Sequence, residues 1–227
     1  MSVVKMPAFV FAKCMLVALM LAAAASVSVL AQESQLHAAA RKGDIETIRV
    51  LLGKGAGIDA RDANGATPLL VATHHNQVDA ARVFIQAGAD VNAKDGIHDS
   101  PYLYAGARGH DEILKMTLAH GADLKSTNRY GGTALIPAAE RGLVDTVRML
   151  INAGVDVNHV NKLQWTALLE AVILGNGGPR HTEIARLLVA AKADVNIADG
   201  DGVTPLQHAR RRGFKAIEDI LVRAGAR

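Results

Sequence analysis

Aromatic residues are scarce in this chain, with one Trp, three Tyr and four Phe among 227 residues, although half of all residues are hydrophobic. A core that lacks rings has to be built from Ala, Leu, Val and Ile, which points to helices packed through small side chains. Cysteine is scarcer still. Its single copy, Cys14, stands close to the N-terminus, so the rest of the chain can form no disulfide of its own and must be held by packing. A surplus of one charge is also missing. The formal excess is +3, but Lys5 and Lys13 lie in an acid-free N-terminal stretch, and without them 23 bases face 22 acids. A chain so near neutrality carries no electrostatic mark of nucleic-acid binding.

Catalytic motifs are equally lacking. There is no Gly-rich phosphate loop after a strand pattern, no His-Glu-x-x-His helix, and no cysteine nucleophile beyond the N-terminal stretch. His98-Asp99-Ser100 contains the letters of a hydrolytic triad. Neighbours in one turn cannot form that relay, and Ser100 is required as a helix cap. His74 and His75 are consecutive, so on a helix they point about 100° apart, and no third ligand stands at metal spacing. They read as a solvated helix end. Glu170 falls among Leu168, Leu169, Ala171 and Val172, where an unpaired buried carboxylate is costly. It is therefore expected to face a groove or to accept a bond from an adjacent segment. No catalytic residue, cofactor or metal ligand is assigned, and the chain does not read as an enzyme.

The N-terminal 31 residues have the layout of a secretory signal peptide. Lys5 and Lys13 form a basic region, Cys14 to Ala25 an apolar run, and Val29-Leu30-Ala31 a small-residue cleavage site before Gln32. The apolar run is somewhat short of the roughly 20 residues that a membrane anchor needs, which favours cleavage near Ala31 over retention. The expected product is a soluble, monomeric protein of residues 32–227, exported to a bacterial periplasm or secreted, with no stable membrane insertion.

What is present beyond residue 32 is a repeat. The triplets Ser34-Gln35-Leu36, Thr67-Pro68-Leu69, Ser100-Pro101-Tyr102, Thr133-Ala134-Leu135, Thr166-Ala167-Leu168 and Thr204-Pro205-Leu206 are separated by 33, 33, 33, 33 and 38 residues. Each triplet opens a helix: the hydroxyl takes a free backbone N–H, and proline at the first helical position loses no bond. A mid-repeat glycine (Gly43, Gly109, Gly142, Gly175, Gly213) separates a first helix from a second. In the second copy that second helix spans Val78 to Gln86, with Val78, Ala81, Phe84 and Ile85 on one face and Gly88 as a left-handed stop before Asp90-Val91-Asn92. One unit cannot cover its own apolar face, so the units must stack.

The period, the opening triplet and the Gly-Ala-Asp-Val-Asn close make residues 34–227 resemble the ankyrin-repeat family, the match being best at Thr67 to Ala72 and Gly88 to Asn92. The resemblance implies an all-α solenoid of stacked helix-turn-helix units with β-hairpin tips. Six copies are expected, at about 32–61, 62–94, 95–127, 128–160, 161–198 and 199–227. Departures from the pattern stand out. His98 replaces a turn glycine, Pro137 falls one turn into a first helix, Lys192 stands where other copies have glycine, and residues 176–180 are an insertion expected to loop outward. Only His37 keeps the family's opening histidine. His110 and His181 hold its Gly-His place, where the ring bonds a neighbouring loop and starts the second helix.

The resemblance also implies function: the family recognises proteins through its tips and the exposed ends of its first helices, which line a concave groove. Carried over, the helix ends offer Arg41, Lys42, His74, His75, Arg108, Glu140, Arg141, Ile173, Leu174, Arg211 and Arg212, and the tips Arg129, Tyr130, Lys162, Leu163 and Trp165. Arg180 of the insertion adds another base. Bases dominate this set, so the expected partner is a protein with an acidic surface, steered by charge. The lone Trp165 is either an interface anchor with Tyr130 or folded down over Leu163. The implied role is a non-catalytic protein-binding module. Two narrower readings stand beside it: an inhibitor or immunity-type protein that blocks a periplasmic enzyme, and an accessory scaffold that stabilises a membrane or redox enzyme.

Overall fold

The computed structural model describes residues 31–227. The leader expected over residues 1–31 lies outside them, apart from Ala31. Residues 31–42 are helical (α1). There follow α2 (Ile45–Gly53), α3 (Pro68–His74), α4 (Val78–Gln86), α5 (Pro101–Arg108), α6 (Asp111–Ala119), α7 (Leu135–Glu140), α8 (Val144–Ala153), α9 (Ala167–Ile173), α10 (Pro179–Ala190), α11 (Pro205–Arg211) and α12 (Lys215–Arg223). Odd-numbered helices from α3 pack on one another in chain order, as do even-numbered ones from α2, and each odd helix packs on the even helix that follows it. Two helical layers thus enclose one core. Its floor is small residues such as Ala72, Ala105, Ala138 and Ala171, filled in by Leu69, Leu135, Leu168 and Phe84, all fully buried.

Four of the six triplets cap as expected: Thr67, Ser100, Thr166 and Thr204 accept the N–H of Leu70, Leu103, Leu169 and Gln207 respectively. Ser34 opens no helix, because α1 is already helical from residue 31 and the serine lies inside it. Thr133 is different, and Pro137 is the cause. In the other copies the residue four places after the cap donates its N–H to the cap carbonyl, as Val71, Tyr104, Glu170 and His208 do. Pro137 has no N–H to give. Ile136 N–H takes the Thr133 carbonyl instead, α7 starts only at Leu135, and the buried Thr133 hydroxyl has no hydrogen-bond partner among the described residues.

The expected β-hairpin tips are not seen: among the described residues there is no strand. Each tip is a turn closed by one side chain. Asp62 Oδ1 accepts from Asn64 and Ala66 N–H while Asp62 N–H donates to the Ala66 carbonyl. Asp95, Asn128, Asn161 and Asp199 repeat this arrangement. A turn that short leaves no run of residues for a ladder. Its fourth residue is left-handed, which is costly without glycine, yet His98 (φ 66°) and Gln164 (φ 61°) occupy that place in two tips.

The insertion is only partly a loop. Pro179 and Arg180 wind into the start of α10, which leaves residues 176–178 as the connection. The left-handed mid-repeat residue in this copy is Gly177 (φ 68°) rather than Gly175. A Cβ on Gly177 would overlap the Phe214 ring, so the insertion packs on the next helix pair instead of projecting outward. His181 therefore lies inside α10, not at its start.

Candidate binding face

The C-terminal carbonyls of the odd helices are orphans that something must satisfy. At the ends of α1, α3, α5, α7 and α9, one of them is met by a side chain from the following unit. Gln77 Nε2 donates to Arg41 O at 3.1 Å, His110 Nδ1 to Thr73 O at 3.0 Å, and His181 Nε2 to Glu140 O at 2.9 Å. The Arg141 and Arg212 guanidiniums bond Ala107 O and Ile173 O. Arg141 and Arg212, expected as groove residues, thus also clamp neighbouring units, and Arg212 lies 4.6 Å from the Phe214 ring centre. At the tips, Lys162 Nζ donates to Arg129 O at 3.1 Å and Lys162 N–H to Tyr130 O at 3.0 Å. His37, the one opening histidine kept, makes a different link, from its Nε2 to the neighbouring tip at Ala66 O, 3.0 Å away.

His74 does not behave as a solvated helix end. Its ring is half-buried, 4.3 Å from the ring of Tyr104, and its Nε2 is buried with no partner among the described residues. Burial lowers its pKa from the ordinary value, against the pull of Asp95 and Asp99. The Arg108 guanidinium lies over the Tyr104 ring, 5.4 Å from its centre. His75 stays exposed. Arg41, His74 and His75 line a broad depression of about 500 Å³ with Asp62, Asp95 and Ile97, and Lys42 lines a neighbouring one with Arg41.

The tip aromatics form a second, tighter site. Because α7 and α9 are only six and seven residues long, the tips at their starts and the residues at their ends meet. Tyr130, Leu163, Trp165, Glu140, Leu174 and Glu170 line one pocket of about 160 Å³. Tyr130 and Leu163 are each 52% exposed and Leu174 50%, whereas Trp165 is half-buried as one wall. Both readings of Trp165 thus contain part of the arrangement. Arg129 stacks over Tyr130 at 4.7 Å. Ile173 contributes mainly its carbonyl, and Arg180 lies in a separate depression with Arg141 and His181.

Glu170 forms the pocket floor, 6% exposed. Its Oε1 accepts from Asn161 Nδ2 at 3.0 Å, a bond inside its own tip rather than from an adjacent copy. Burial, then the nearby Glu140 carboxylate, push its pKa up to about 7; Asn161 and Arg141 oppose. Asn161, Ile136 and Pro137 also line this pocket and were missed from sequence. The available signal was the Asp or Asn standing in phase at every tip. None of Arg41, Lys42, Arg108, Arg129, Arg141, Lys162, Arg180, Arg211 and Arg212 pairs with an acid among the described residues, whose ion pairs lie elsewhere. No group of three or more His, Cys, Asp or Glu side chains there is arranged for a metal, and no helix is long and apolar enough to cross a membrane.

Helix pairs stacked in two layers and joined by capped turns define a helical repeat scaffold. The ankyrin-repeat family model (three copies) matches residues 11–95 and 102–199, and the chain belongs to that family. Such domains typically serve protein–protein interaction and are generally non-catalytic. The chain is similar to an ankyrin repeat domain (ABAYE2397) from Acinetobacter baumannii AYE, solved by crystallography at 1.00 Å. The two share 64% identity and a TM-score of 0.84, over 86% of this chain and all of that one. EF0377, an ankyrin repeat protein of known crystal structure, shares 41% identity and a TM-score of 0.80, over 84% and 97% of the two chains. The ankyrin repeat protein YahD of Escherichia coli (strain K12) is 42% identical over 57 residues, which is 25% of this chain and 28% of YahD.

Proposed function

We propose that residues 32–227 are an exported, non-catalytic protein-binding module of six ankyrin copies, acting in the periplasm and docking its partner on the α7–α9 seam. The carrying observation is the pocket whose rim exposes Tyr130, Leu163 and Leu174 around Trp165, flanked by arginines with no acid to pair with. Large exposed apolar side chains around an aromatic wall form an interface centre, and the unpaired bases suit an acidic surface at the partner's rim.

Crosslinking the tagged protein in its own compartment and identifying the captured protein tests this reading. Trp165→Ala should lower affinity for that partner at least tenfold at unchanged helicity, and affinity should fall as salt rises from 50 to 500 mM. Capture unaffected by Trp165→Ala would remove the seam as the docking site; indifference to salt would remove the charge contribution. Recovery of the protein with its leader intact would remove export.

A further inference from the structure

The pocket centre carries the opposite sign from its rim. Around the wall of Trp165 stand Ile136, Pro137, Leu163 and Leu174, an apolar lining, and at the floor Glu170 with Glu140 beside it. Glu170 Oε1 is held by Asn161, while no group among the described residues donates to its Oε2, which is the part of this largely buried carboxylate left open to solvent in the pocket. A carboxylate set among apolar walls beside a second carboxylate favours a cationic ligand that brings donors in place of the water it gives up. Accordingly, we propose that this pocket receives a lysine side chain of the partner protein, its ammonium held between Glu170 and Glu140 and its stem against Trp165. This rests on the seam being the docking site.

The alternatives fit less well. An acidic side chain would face two carboxylates, and an aliphatic one would seal Glu170 Oε2 away from water without a donor. A lysine brings a four-carbon stem for the apolar lining, three donors for the carboxylates and a cation for the indole face. The neighbouring ring already shows this preference, since Arg129 lies over Tyr130 at 4.7 Å. The charged groups facing the floor are Glu140 and Arg141, and Arg141 is engaged with the Ala107 carbonyl. About 160 Å³ holds one such side chain.

Trp165 is the only tryptophan, so its fluorescence reads the pocket directly. The purified protein is titrated at pH 8 with Nα-acetyl-lysine methylamide, with the uncharged norleucine analogue and with the glutamate analogue. The lysine probe should give a saturable change with Kd of about 1 mM, a value expected for so small a ligand. The norleucine and glutamate probes should bind at least tenfold more weakly. Glu170→Gln, which keeps an acceptor for Asn161, should cost the lysine probe tenfold at unchanged circular dichroism. Equal binding of lysine and norleucine probes, or tighter binding of the glutamate probe, overturns the proposal. A captured partner that needs Trp165 but binds Glu170→Gln at full strength also overturns it while leaving the docking site in place. A partner indifferent to both substitutions removes the docking site itself.

Discussion

At the α9 tip the turn residue is Asn161, and its Nδ2–H donates to Glu170 on the helix at 3.0 Å; at the α11 tip it is Asp199, and the helix residue His208 brings Nε2 within 2.7 Å of its carboxylate. Glu170 and His208 hold the same place, four residues after the cap threonine. The two tips therefore make the same link with donor and acceptor exchanged. Where the carboxylate stands in the turn, it collects the N–H groups of Asp201 and Val203. Burial raises the Asp199 pKa, but the backbone N–H of Val203, the His208 side chain and the N–H of Asp201 outweigh it, and the net shift is downward. On the helix, no backbone donor is in reach; Glu170 has one neutral amide and a like charge nearby, and its pKa is raised. An acid in the turn is a satisfied part of the scaffold. Moved onto the helix, it keeps one neutral donor and gains a like charge nearby.

The largest expected effect falls at the joint between these two tips. Gly177 is left-handed and lies against Phe214, the residue that precedes α12. Gly177→Ala adds backbone strain and overlaps that ring, and should cost about 2–3 kcal/mol. Urea denaturation measures it; a cost below about 1 kcal/mol would show that the insertion is not packed against the last helix pair.

Next in size, Glu170→Gln should stabilise the protein, by an amount that depends on pH. At pH 4 the carboxyl is largely protonated whether folded or unfolded, so the substitution changes little. Between 4.5 and about 7 the unfolded chain ionises while the folded one resists, and the wild type loses stability as pH rises. A shift of this size sets a ceiling of about 3 kcal/mol, and the pocket's opening to solvent should reduce it to about 1–2 kcal/mol at pH 8. Equal urea midpoints for the two proteins at pH 4 and pH 8 would dissolve the distinction between the tips.

The period made the helices legible: Thr67, Ser100, Thr166 and Thr204 cap where they were expected to, and α4 begins and ends at Val78 and Gln86. Thr133 was misread because the effect of a proline depends on which carbonyl its N–H would have met, here that of the cap residue itself. The tips were misread as hairpins because the closing bonds come from Asp and Asn side chains rather than a strand ladder. The phase of the repeat puts Tyr130 on one tip and Leu163 and Trp165 on the next, and the structure brings the three to one pocket. That Glu170 closes onto Asn161 was not read from the sequence, because the link depends on the side chains at the turn and at the fourth place after the cap, not on the apolar pattern around Glu170.

Lys192 gives a smaller test. It is left-handed at φ 69°, where Gly88, Gly121 and Gly154 stand in the other copies at φ 91°, 82° and 91°. Lys192→Gly should raise stability by up to about 1 kcal/mol, seen as a rise of a few degrees in Tm, and the shift should be the same at pH 5 and pH 8. A pH-dependent shift would mean that the lysine charge, rather than its backbone, decides the effect.

The smallest effect should appear at the α11 tip, with the opposite sign from α9. Asp199→Asn keeps a side-chain oxygen for the turn, as Asn128 and Asn161 show, but removes the charge that faces His208. A carboxyl whose folded pKa is depressed contributes stability above its unfolded pKa, near 4, and loses it as pH falls through the lower folded value. Asp199→Asn should therefore destabilise at pH 6 by about 1 kcal/mol, the turn N–H bonds being kept and only the charge facing His208 lost, and should be indistinguishable from wild type near pH 2. Paired urea melts of Asp199→Asn and Glu170→Gln across pH 3–8 bring the two tips onto one plot. Curves that separate from wild type in opposite directions show that the position of the acid, turn or helix, sets its sign; curves that move together would assign both effects to net charge alone.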